Sequence, residues 1–274
     1  MKNFLTVKEF SRLSGIERTT LRYWDEIGLF SPARRDPKNN YRYYSSEQIV
    51  TVNFINVLSE LNIPLKTIGE MAGKRTPENI VRLIEQREKK LDLEMRRLRE
   101  SYSIIHTRLE LIRYGIRLEM DGGIDAGEAM ISVQSRDEEA YVLGPLCEFK
   151  DGEEFYEPLM RFCRAAPELR INLHYPIGGY HDSMAQFCDA PDKPDRFFSL
   201  DPTGNRIRPA GKFLVGYIRG YYGELGDLPE RMNAFSEKNG LALSGPVYTM
   251  YLYDEVCMED PSQYLAQISV AVSR

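Results

Sequence analysis

The sequence predicts a multidomain chain of α and α+β class in three parts: a head of short helices, one long coiled-coil helix, and an α+β domain behind it. Three observations predict this. Helix caps and turn signals recur at short intervals up to Arg75. Apolar residues then fall in heptads for about five repeats. Beyond Asp121-Gly-Gly-Ile-Asp-Ala-Gly127 the pattern changes to alternating, strand-like runs. The expected boundaries are 1–75, 76–120, a linker at 121–128, and 129–274.

In the head, Thr6-Val-Lys-Glu9 has capping-box spacing and opens an amphipathic helix with Val7, Phe10 and Leu13 on one face, closed by Ser14-Gly15. A second helix over about Glu17 to Ile27 sets Leu21, Trp24 and Ile27 toward a core and exits through Gly28. Two helices joined by about three residues make a helix-turn-helix. Phe30 to Tyr44 holds prolines and Asn39-Asn40 between two short extended pieces, a hairpin wing. Ser45-Ser-Glu-Gln48 again has capping-box spacing, and Pro64 opens a further helix.

Thr76-Pro77 starts the long helix. Its heptads carry Ile84, Leu91, Leu98, Ile105 and Ile112 in one series and Val81, Met95, Tyr102, Leu109 and Ile116 in the other. Such a stripe needs a partner helix, and a second copy of the chain supplies one. The alternative is a helix packed on its own downstream domain. In the back part the order strand, helix, strand, strand occurs twice, at about 139–146, 150–166, 170–180 and 183–200, then at about 209–219, 223–239, 245–253 and 264–272. Two similar halves would form a cleft near a pseudo-twofold axis.

Charge divides the same way. Residues 1–120 hold 22 Lys and Arg against 16 Asp and Glu, while residues 121–274 hold 14 against 25. A basic front suits the phosphates of double-stranded DNA. The second helix offers Arg18, Thr19, Arg22 and Tyr23, and the wing offers Arg34, Arg35, Lys38, Tyr41, Arg42 and Tyr43. A helix of this size fits the major groove, where Arg reaches guanine edges or phosphates.

Several classes are disfavoured. No run approaches the roughly 18 apolar residues of a membrane span, and Glu9 interrupts what would be a secretory signal, so a cytoplasmic protein is expected. Cys147, Cys163, Cys188 and Cys257 form no Cys-x-x-Cys and stand at no ligand spacing with His106, His174 or His181, so neither zinc nor another cofactor is expected. No nucleophile motif or Gly-rich phosphate loop points to an enzyme.

The string Leu21-Arg-Tyr-Trp-Asp-Glu-Ile-Gly-Leu29, followed by Tyr41-Arg-Tyr-Tyr44, resembles the MerR family of transcription regulators. The resemblance covers the head and implies a winged helix-turn-helix, an antiparallel dimerisation coil, an inverted-repeat operator, and activation by twisting an overlong promoter spacer so that RNA polymerase engages both elements. Glu17 stands where the family usually has a Ser, Thr or Asn cap. The back part resembles the GyrI-like effector domain of BmrR-type multidrug sensors. That likeness implies a homodimer responding to a small-molecule effector, aromatic or lipophilic, with Tyr156, Tyr175, Tyr217, Tyr251 and Tyr264 at the ligand. It also places Thr249 and Gln267 where cation-binding relatives carry carboxylates, which argues for a neutral or differently charged ligand. Asp254 and Glu255 fall nearby on an expected loop. Repression or simple ligand sequestration is an alternative. So is hydrolysis of small electrophiles by Tyr156 or Tyr217 with Glu154 or Glu157.

Overall fold

The first helix of the head begins as its capping residues dictate. In the computed structural model, which describes residues 4–72, 76–120, 130–150, 152–153 and 155–273, the Thr6 hydroxyl accepts from the Glu9 amide at 3.3 Å and the Glu9 carboxylate accepts from the Thr6 amide at 2.8 Å. Helix α1 (Val7–Ser14) ends on Gly15 at φ 73°, and α2 (Arg18–Glu26) follows. Strands β1 (Phe4–Thr6), β2 (Arg34–Arg35) and β3 (Arg42–Ser45) form a sheet of order β1-β3-β2. The wing is therefore present, and β1 is an addition to it that three residues are too few to announce. Helices α3 (Gln48–Glu60) and α4 (Leu65–Ala72) complete the head.

Phe10, Leu21, Trp24, Phe30, Tyr44, Val52, Ile55 and Ile68 are its core. The Phe10 and Tyr44 rings stack at 4.6 Å. Two expected core positions are corrected, because Leu13 and Ile27 are 60% and 46% exposed. A step of three residues falls short of a helical turn, so a residue six positions on has drifted off the face. The second capping box forms only in part: Gln48 accepts from the Ser45 amide, but no side chain caps α3.

Helix α5 (Pro77–Met120) starts with the Thr76 hydroxyl accepting from the Asn79 amide. The chain divides into two compact units, Met1–Arg97 and Leu98–Arg274. In the second unit Leu98, Tyr102 and Ile105 of the heptad stripe are 69%, 70% and 64% exposed, whereas Leu111, Ile112, Tyr114 and Leu118 pack on the domain behind them. One stretch of the helix therefore leaves its apolar stripe uncovered, while its last turns pack Ile112 of that stripe, with Leu111, Tyr114 and Leu118 beside it, internally. The expected linker at 121–128 lies outside the described residues.

The second unit holds β4 (Met130–Arg136), β5 (Glu139–Leu146), α6 (Tyr156–Ala165), β6 (Ile177–His181), α7 (Met184–Asp189), β7 (Arg196–Ser199), β8 (Arg206–Arg208), β9 (Gly211–Arg219), α8 (Leu228–Lys238), β10 (Ala242–Tyr253), a 3-10 turn at Pro261–Gln263, and β11 (Leu265–Ser273). The sheet order is β4-β9-β11-β10-β6-β7-β5-β8. Within it, β9-β11-β10 and β5-β7-β6 repeat one pattern, and the halves join where β10 runs antiparallel to β6 with Thr249 opposite Gly179. The doubled order is thus present. Strands β4 and β8 are additions, and α7 occupies part of the stretch expected as a fourth strand.

The join requires close approach. A Cβ on Gly178 would collide with the Phe198 ring and the Thr249 carbonyl oxygen, whereas one on Gly211 would meet nothing within 4 Å. Gly178→Ala should lower stability by about 1–3 kcal/mol through overpacking, and Gly211→Ala should change it little. Urea unfolding of both variants, compared at constant slope, checks the pair.

Candidate functional site

In the head, α2 and the wing present one face. Arg18, Thr19, Arg22 and Tyr23 on α2 and Arg34, Lys38 and Tyr41 on the wing are exposed. The Arg34 guanidinium lies 5.6 Å from the Phe4 ring and 5.7 Å from the Tyr43 ring, which aligns it along β2. As expected, Glu17 gives α2 no side-chain cap; its carboxylate instead accepts from Thr19 at 3.2 Å.

Arg35 and Arg42 are engaged otherwise. Asp25, on the inner side of α2, accepts from both guanidinium groups at 2.6 Å, and its side chain is only 2% exposed. Burial opposes ionisation of Asp25, but the hydrogen bond from Arg42 and the charges of Arg35 and Arg42 outweigh it and hold the carboxyl below the ordinary range. These two arginines rivet the wing to α2 before they do anything else. Both still reach solvent, their side chains 40% and 25% exposed, beside the exposed Arg18, Arg22, Arg34 and Lys38.

In the back domain, a cavity of about 460 Å³ opens on one face of the sheet at the join of its halves. Thr249 and Gly179 lie at its floor, and Tyr156, Tyr175, Tyr251 and Tyr264 line it as expected. Two expected residues do not. Tyr217 and Gln267 pair across β9 and β11, and strand alternation turns both to the opposite face, where the Gln267 amide lies 3.5 Å from the Tyr217 hydroxyl.

The cavity gains residues that spacing did not reveal. Phe155, Tyr221 and Tyr222 enter it from loops. Tyr222 is the hub: its ring stacks on Phe155 at 5.8 Å and meets Tyr251 at 4.6 Å and Tyr264 at 5.5 Å. The Tyr251 hydroxyl donates to the Tyr221 carbonyl at 2.9 Å and accepts from the Gly223 amide at 3.0 Å, pinning this loop to the sheet. Two tyrosines between Gly220 and Gly223 directly after a strand were the available signal.

The cavity is also not free of acid. Asp254 and Glu255, on the loop after β10, both line it. Tyr222 donates to the Glu255 carboxylate, and Arg108 of α5 pairs with Asp254 at 3.4 Å. The expectation of a ligand without positive charge rested on Thr249 and Gln267, and this loop brings two carboxylates to the same cavity. Burial, followed by the hydrogen bond to Glu255, pushes the Tyr222 phenol far up, and burial raises Tyr156 and Tyr251, so all three stay protonated. Burial keeps His181 neutral. The Thr249 hydroxyl and the His181 Nδ1 are buried without a hydrogen-bond partner.

As to hydrolysis, Tyr217 faces away from the cavity, Glu157 is not among its lining residues, and Glu154 lies outside the described residues. The described residues contain no cluster able to hold a metal ion.

Residues 5–74 match the family model of the MerR HTH family regulatory protein. The head is thus a helix-turn-helix DNA-binding domain of the MerR type. The chain is 26% identical to the multidrug-efflux transporter 2 regulator of Bacillus subtilis over 99% of this chain and 97% of that one. It is 29% identical to the multidrug-efflux transporter 1 regulator of the same organism over 40% of each chain, and 43% identical to the transcriptional regulator BrlR of Pseudomonas aeruginosa over 24% of this chain and 25% of that one.

The Asp25 rivet is directly testable. Its carboxyl is more acidic folded than unfolded, so the stability it contributes is present above pH 3.8, its ordinary value, and is lost as pH falls through the lower folded value. Asp25→Asn should cost about 1–3 kcal/mol at neutral pH, reduced from a fully buried pair because both arginines reach solvent. Thermal melts should show the gap from the parent protein narrowing in acid.

Proposed function

We propose that the chain works as a homodimer in the cytoplasm, binds inverted-repeat promoter DNA through α2 and the wing, and alters transcription when a lipophilic organic cation occupies the aromatic cavity. The exposed heptad stripe of α5 supports dimerisation through a coiled coil. The exposed Arg18, Arg22 and Arg34 support the DNA contact. Distortion of an overlong promoter spacer, acting on RNA polymerase through the DNA, would convert ligand binding into activation.

The single observation that carries the ligand class is the ring cluster around Tyr222 with Glu255 at its edge. Rings attract a cation through their negative faces, at about 0.5–2 kcal/mol each, which does not replace the hydration a charge gives up. A counter-charge is needed. Two carboxylates against one guanidinium, with His181 neutral, leave the lining net negative. The domains proposed are a DNA-binding head at 1–75, a coil at 76–120 and an effector domain at 129–274, and the proposed role is regulation rather than catalysis.

Calorimetry with tetraphenylphosphonium tests this reading. The parent protein should bind it, and Glu255→Gln should bind about tenfold more weakly, the loss of roughly 1.4 kcal/mol. Equal affinity in the two proteins, or no binding by either, would remove the cation from the account.

A further inference from the structure

A second cavity, of about 370 Å³, lies on the opposite face of the sheet beneath α5. Its chemistry is the reverse of the first. Arg117, Arg136 and Arg208 line it together with Glu110 and Glu139. Both acids are committed, Glu139 to Arg208 at 3.0 Å and Glu110 to Arg113 at 3.2 Å. Among the described residues no carboxylate pairs with Arg136.

Arg136 is held by neutral groups. Its Nη2 donates to the hydroxyls of Tyr217 at 3.1 Å and Tyr114 at 3.3 Å, and its guanidinium sits 5.0 Å from the Tyr114 ring. The Nε atoms of Arg136 and Arg208 are both buried without an acceptor. A buried guanidinium N–H without an acceptor is costly, and a carboxylate can accept one hydrogen bond from each Nε while its charge balances Arg136. Beside these groups stand the Tyr141, Phe198 and Tyr248 rings, meeting edge to face at 5.5–5.8 Å, an apolar wall for a flat body. Gln267 bears on the same site, because its amide and Arg136 both reach the Tyr217 hydroxyl. A carboxylate at that position would neutralise Arg136, whereas the amide leaves its charge open.

We propose that this cavity is a second small-molecule site, for a planar aromatic carboxylate held by Arg136 and Arg208 against the Tyr141 and Tyr248 rings. The roof is α5, through Leu111 and Tyr114. An occupant therefore bears on the helix that carries the exposed heptad stripe. The site is independent of the cation reading of the first cavity.

Calorimetry on the full chain with salicylate, and with benzyl alcohol as the uncharged comparison, tests it. Salicylate should bind once per chain and benzyl alcohol about tenfold more weakly or less. Arg136→Gln should weaken salicylate about tenfold, with Arg136→Lys restoring part of the affinity because the charge returns without the fork. Gln267→Glu, nearly isosteric, should weaken it comparably by neutralising Arg136, and it reports on the site even where the Arg136 variants fold poorly. Saturating tetraphenylphosphonium should leave the salicylate isotherm unchanged. The proposal is overturned by absence of salicylate binding, by unchanged affinity in Gln267→Glu, or by competition between the two probes.

Discussion

The back domain depends on a single seam, the antiparallel pairing of β10 with β6 that makes one sheet of two similar halves. Gly178 is small because the Phe198 ring and the Thr249 carbonyl close over it. With the seam closed, alternation along each strand assigns side chains to two faces. Thr249 and Tyr251 go to one side, and Tyr248 and Met250 to the other. Each face then acquires its own cavity and its own chemistry.

The face carrying Thr249 is walled by tyrosines whose hydroxyls are kept protonated by burial, with carboxylates at the edge. The other carries guanidinium groups stacked on rings, Arg208 at 5.3 Å from Phe213 and Arg136 over Tyr114. A thin sheet thus separates an acidic aromatic site from a basic one. Opposite charges on opposite faces are compatible because each is partly met locally: Tyr222 donates to Glu255, and Glu139 pairs with Arg208. Helix α5 takes part in both, giving Arg108 to the first and Tyr114 to the second.

What was legible in the sequence was local. The Thr6 capping box, the Gly15 exit and the Thr76 cap lie within four residues of the structure they determine, so the head and the start of α5 could be read directly. The doubled strand order was legible because periodicity survives in β5, β9, β10 and β11. Long-range ties were not. Nothing in the spacing joins Asp25 to Arg42, seventeen residues away, so two wing arginines looked free for DNA. Tyr217 and Gln267 were placed at the ligand because neither resemblance nor composition states which way a strand's residues face. Tyr221, Tyr222 and Glu255 sit on irregular loops, where no period operates.

The central claim is that occupancy of the aromatic cavity changes what the head does to a promoter. Transcription in vitro from a promoter with an overlong spacer, using purified RNA polymerase and this protein with and without tetraphenylphosphonium, tests it most directly. The account predicts that transcript rises only when protein and cation are both present, and that the rise is largely lost in Glu255→Gln. Transcript that responds to the protein but not to the cation would contradict it.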